Sequence, residues 1–199
     1  MPRSWQLLVI VMLAGTSLAR AQQYIGPHAL GPFRIDKDVK MNSLLARLGM
    51  PPSTKSETFC YRSARGNGFL SLTRMSDVYD DTLAAAVTLS SSRDCVTHPV
   101  RLTQEDLAGW KTPEGVGLGS TEEDVHEAYD RPSTVISIDG TNYSSIDYGD
   151  LASSDHPPAK PPEIGTKALV YRGSGNDLSL AEFGIKDGRV VWISLSYNE

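Results

Sequence analysis

The sequence predicts an α+β protein of two tandem modules, each a short helix packed on a three- to four-stranded antiparallel meander. Three observations carry this expectation. A capped helix is written into residues 115–133, alternating strands behind it close on an Asp-Gly turn, and the same order of elements is echoed in the first half of the chain.

The helix comes first because its signals are densest. A Gly-rich approach, Gly115-Val116-Gly117-Leu118-Gly119, ends at Ser120, whose hydroxyl is placed to cap backbone N–H groups, with Glu123 three residues on to complete a capping box. Glu122, Glu123 and Asp124 occupy the first turn, where the helix dipole favours carboxylates. Val125, Ala128 and Tyr129 share one face, and Pro132 ends the helix. In the first half, Asp36 or Asp38 can cap a helix running to about Leu48, which Gly49, Pro51 and Pro52 terminate.

Alternation predicts strands at Thr58 to Arg62, Phe69 to Met75 and Ala85 to Ser90, the first two joined by Gly66-Asn67-Gly68. The second half repeats this with Ala168 to Arg172, Leu178 to Ile185 and Arg189 to Tyr197. Asp187-Gly188 supplies the positive φ angles of a two-residue hairpin. Phe183, Ile185, Val191, Ile193 and Leu195 alternate with more polar neighbours, so one sheet face packs under a helix and the other meets solvent or a partner. The echo runs through Leu48-Gly49-Met50-Pro51 and Tyr129-Asp130-Arg131-Pro132, Tyr61-Arg62 and Tyr171-Arg172, Leu70-Ser71-Leu72 and Leu178-Ser179-Leu180, and Val87-Thr88-Leu89-Ser90 and Ile193-Ser194-Leu195-Ser196. The expected organisation is therefore a signal peptide at 1–21, a first module at 22–92, a linker at 93–112 and a second module at 113–199 carrying a loop insertion at 138–165.

The first 21 residues have a positive n-region at Arg3, an apolar run from Leu7 to Leu13 and a small-x-small site at Ala19-Arg20-Ala21. Leu13-Ala14-Gly15-Thr16 has Thr where a lipidated Cys would stand, so an exported protein without a stable membrane anchor, periplasmic or secreted after cleavage following Ala21, is expected. Cleavage removes Arg3 and Arg20 and no acid, leaving 17 basic and 24 acidic side chains and a formal charge of −7. That charge argues against nucleic acid as a partner. The two cysteines, Cys60 and Cys95, have no CxxC spacing, and in an oxidising compartment a single disulfide is the economical reading.

Chemistry is thinly represented. The sequence has no Gly-x-Ser-x-Gly elbow, and His28, His98, His126 and His156 are scattered. Asp80-Asp81 and Asp147 with Asp150 lack the EF-hand spacing, and no metal or cofactor is expected. Aromatics with no obvious core duty are Tyr143 and Tyr148 in the insertion, Trp110 in the linker, and Trp192 and Tyr197 on the last strand; side chains of this kind anchor interfaces.

At Leu118-Gly119-Ser120-Thr121-Glu122-Glu123-Asp124-Val125, Tyr129, Pro132 and Lys186-Asp187-Gly188-Arg189-Val190-Val191, the chain resembles the exported modules of the small outer-membrane assembly lipoproteins (the SmpA/OmlA type), and of the tandem β-lactamase-inhibitor type. The resemblance implies helices on one face of an antiparallel sheet and two copies over most of the mature chain. It carries over no functional residue.

The expected function is non-catalytic binding of an exported or envelope protein, inhibitor-like recognition included. Two alternatives stand beside it: a hydrolase or small-ligand binder centred on the insertion with Asp155 and His156 as an acid–base pair, and a structural envelope component.

Overall fold

The computed structural model describes residues 26–34, 41–49, 58–74, 84–92, 100–138, 166–172 and 179–197. The predicted signal peptide, Asp36 and Asp38 as expected caps, Cys95 and nearly all of the insertion, 139–165, lie outside the described residues. Within them the architecture is mixed α/β, with one large sheet and two α-helices.

The chain enters through a small hairpin, β1 (Ala29–Leu30) and β2 (Phe33–Arg34), turned at Gly31, and continues to α1 (Met41–Leu48). A meander follows, β3 (Thr58–Ser63), β4 (Phe69–Arg74) and β5 (Ala84–Ser90). After β6 (Val100–Thr103) and a 3-10 turn at Leu107–Gly109 come α2 (Glu122–Tyr129) and β7 (Thr134–Ile138). A second meander, β8 (Thr166–Arg172), β9 (Ser179–Lys186) and β10 (Arg189–Tyr197), ends the described chain. The eight strands β3 to β10 form one sheet in the order β6-β3-β4-β5-β10-β9-β8-β7, in which β6 lies parallel to β3 and every other neighbour is antiparallel.

The last strands of the two meanders pair with each other, so both helices share one core. Leu44, Leu45 and Leu48 of α1 and Val125 and Tyr129 of α2 join Phe59, Tyr61, Leu70, Leu72, Val87, Leu89, Leu169, Tyr171, Phe183, Ile193 and Leu195 in a single buried cluster. At about 1.5–3 kcal/mol for each fully buried large apolar side chain, this cluster is the main stabilising feature. Beneath α2 the rings of Tyr129, Tyr171 and Phe183 lie 5.6 to 5.8 Å apart, centroid to centroid.

Four sequence expectations are corrected. The N-cap of α2 is Thr121, whose hydroxyl accepts from Asp124 N while the Asp124 carboxylate accepts from Thr121 N. Ser120 does not take that role because its hydroxyl accepts from Gly117 N and so closes the preceding turn, which is held to β10 by Gly119 N donating to Val190 O and Val190 N donating to Ser120 O. Second, the region expected to be a linker contributes β6 and the 3-10 turn, and Trp110 packs over Gly31, where a Cβ would lie 2.5 Å from the indole. Third, Val190 rather than Val191 faces the helix-side core. A register shift between Val190 and Trp192 accommodates the extra residue and places Val191 against the other face. Fourth, Leu180 does not correspond to Leu72. Tyr171 pairs with Ala181 and Leu169 with Phe183, as Tyr61 does with Leu70 and Phe59 with Leu72, so Leu180 faces away from the helices.

Candidate recognition face

Because side chains alternate along a strand, whatever does not face α1 and α2 lines the opposite side of the sheet. Three rows of register-paired residues cross it. The first runs Leu102, Arg62, Phe69, Ser90, Trp192, Gly184, Ala168 and Ile136 through all eight strands. The second runs Val100, Cys60, Ser71, Thr88, Ser194, Glu182, Val170 and Thr134. The third is Thr58, Thr73, Ala86, Ser196, Leu180 and Arg172.

The centre of this face is a belt of hydroxyls. Ser71, Thr73, Thr88, Ser194 and Ser196 are half-buried, and Thr88 Oγ1 and Ser194 Oγ are 3.0 Å apart. On one side the Arg62 guanidinium sits 5.9 Å from the Phe69 ring centroid, a cation–π contact next to the exposed Leu102. On the other side, Ile136, Ala168, Val170 and Trp192 form a second buried cluster against which Leu180 and Val191 pack. The Trp192 ring lies on Gly184, whose missing side chain makes room for it: a Cβ there would fall 1.9 Å from the indole nitrogen.

The helix side differs in charge. Glu122 is held below the usual carboxylate range by its hydrogen bond from Lys167 Nζ, at 2.6 Å, with His126 adding in the same direction. Asp124 is likewise lowered, first by the backbone N–H of Thr121. Tyr129 Oη donates to Glu114 Oε2 and is hydrogen-bonded to Thr112 Oγ1, tying the approach loop to the helix.

Of the aromatics expected at an interface, Trp110 and Trp192 are buried, at 6% and 1% exposure, and serve the two cores instead. Neither is presented to a partner, because each ring fills the space over a glycine. Tyr197 lies at the end of β10, paired with Ser179. Tyr143 and Tyr148 lie outside the described residues, as do Asp155 and His156. Cys60 is buried on β3 and no cysteine among the described residues is free, while Cys95 lies outside them. Comparison with protein-family models, curated proteins and solved structures returns no match for this chain.

Among the described residues no group of three His, Cys, Asp or Glu side chains is placed to hold a metal ion, and no helix is long and apolar enough to cross a membrane. His126 is engaged on its own helix, 3.5 Å from Glu122. What sequence reasoning missed is the hydroxyl belt with Arg62 and Phe69. Its signal was present in Leu70-Ser71-Leu72-Thr73, Val87-Thr88-Leu89-Ser90 and Ile193-Ser194-Leu195-Ser196, where Ser and Thr hold every second position.

Proposed function

We propose that this chain is an exported, non-catalytic protein-binding protein built from two tandem helix-on-meander modules, and that the sheet face turned away from α1 and α2 meets the partner. The observation that carries the reading is the asymmetry of the sheet. One face packs under both helices; on the other, Arg62 and Leu102 are exposed and Phe69 and five hydroxyl residues are half-buried, while Trp192, Val170 and Ala168 towards β7 are buried. An arginine, an aromatic ring and hydroxyl groups side by side suit recognition of a protein.

Two relationships support the tandem reading. Thr88 and Ser194, matched in the sequence echo, are direct partners in the β5–β10 pairing, and Val87 faces Leu195 while Leu89 faces Ile193. A two-fold axis through the Thr88–Ser194 pair therefore exchanges the two echoed segments. Moreover, Tyr61 Oη donates to Gly49 O at 2.9 Å and Tyr171 Oη to Asp130 O at 3.3 Å, so each meander tyrosine latches the residue that follows its own helix.

The test is affinity capture from the exported fraction on the immobilised chain beginning at Gln22. Saturable capture of a discrete protein, abolished by Ser71→Arg and unaffected by Glu127→Arg on α2, is expected. Absence of saturable capture overturns the binding reading. Capture that survives Ser71→Arg and is lost with Tyr143→Ala and Tyr148→Ala moves the contact to the insertion.

A further inference from the structure

Among the described residues the two edges of the large sheet are built differently. At one end β6 has four residues, pairs in parallel with β3 and carries Arg101. At the other end β7 reads Thr-Val-Ile-Ser-Ile, with no charge, proline or glycine, and its five-residue register with β8 runs without a bulge. Natural edge strands avoid pairing with other chains by means of charges, prolines, bulges or shortness. β7 has none of the first three. Thr134, Val135 and Ser137 are exposed, Val135 at 54%.

We propose that β7 is the seam of a homodimer, pairing antiparallel with β7 of a second copy so that two eight-stranded sheets become one continuous sheet. Self-complementarity favours a second copy as the occupant. With the two-fold axis at Ile136, that residue meets its own counterpart, Val135 lies opposite Ser137 of the second copy, and Thr134 lies opposite Ile138. No charged residue of β7 is opposed to another, Ile136 meets Ile136 on one face, and Val135 meets the small Ser137 on the other. An isologous contact through a single edge also closes on itself. A β7 edge joined to a β6 edge would propagate into a filament, and β6 carries Arg101, a charge with no opposite charge on β7.

The test is sedimentation velocity of the full mature chain across micromolar concentrations. The expected result is a concentration-dependent doubling of mass, weakened at least about tenfold by Val135→Lys or by Thr134→Lys. Both positions are exposed, so circular dichroism should be unchanged. Val135→Cys combined with Ser137→Cys should give an oxidised, reducible dimer, since directly opposed strand residues approach within disulfide reach. A chain that stays monomeric throughout, or a dimer that both lysine variants leave intact, overturns the proposal. Loss of partner capture by Ser71→Arg leaves it untouched, because the sheet face and the sheet edge are separate surfaces.

Discussion

Thr88 Oγ1 and Ser194 Oγ lie 3.0 Å apart, one on β5 and one on β10, 106 positions apart in sequence and directly opposed at the junction of the two meanders. A double-mutant cycle of Thr88→Val and Ser194→Ala, followed by urea denaturation, should give a coupling of about 0.5–1.5 kcal/mol. A coupling indistinguishable from zero would mean that water satisfies both hydroxyls equally well.

Asp130 follows α2 with φ 56° and ψ −144°, a conformation suited to glycine, and the corresponding place after α1 is held by Gly49 at φ 96°. Relief of about 1–3 kcal/mol of strain exceeds the roughly 0.5–1 kcal/mol that glycine costs through the unfolded chain. Asp130→Gly should therefore raise stability by about 1 kcal/mol, read from the denaturation midpoint. Gly49→Ala should lower it.

Gly184→Ala should destabilise by about 1–3 kcal/mol, because the new methyl must displace the indole of Trp192 from a buried position. Trp192→Leu in the same chain should recover part of the loss. Thermal melts of the two variants decide the point, and a Gly184→Ala protein as stable as its parent would show that the ring has another place to go.

Burial pushes the Tyr171 hydroxyl up to about 12, with the carboxylates of Asp130 and Glu122 acting in the same direction. Burial also raises Tyr61, against an opposing pull from Arg101. An unfolded tyrosine ionises near pH 10, so above that pH the unfolded chain releases a proton that the native chain keeps. The corresponding stability is complete below pH 10 and declines as pH rises towards 12. Denaturation at a series of alkaline pH values should show this slope, and Tyr171→Phe should flatten it.

Peptide mass spectrometry without reduction should find Cys60 joined to Cys95. Reduction should then lower stability by about 3–4 kcal/mol, the chain-entropy value for a loop of this length. Detection of a free Cys60 thiol in the native protein would refute the pairing.

The strands of both meanders were legible because their one-in-two alternation is a local property, and the Asp187-Gly188 hairpin because its positive φ angles, 51° and 71°, require those residues. β6 and β7 escaped notice for opposite reasons. β6 carries charge and exposed residues and exists only because β3 offers it an edge. β7 is short and sits beside an insertion whose loop composition masks it. Trp110 and Trp192 were misread as interface aromatics because the glycines they cover, Gly31 and Gly184, are distant in sequence or look unremarkable inside a strand.

By itself the sequence determined the two helices and the six meander strands, the capped character of α2 and the helix-facing positions of most strands, all of which depend on neighbours a few residues away. Only the tertiary structure decided that β5 and β10 join the meanders into one sheet, that a bulge moves Val190 into the core in place of Val191, that a hydroxyl belt lines the face turned away from α1 and α2, and that β7 is the last of the described strands at its end of the sheet. Those outcomes depend on pairing between distant strands, where a shift of one residue exchanges the two faces.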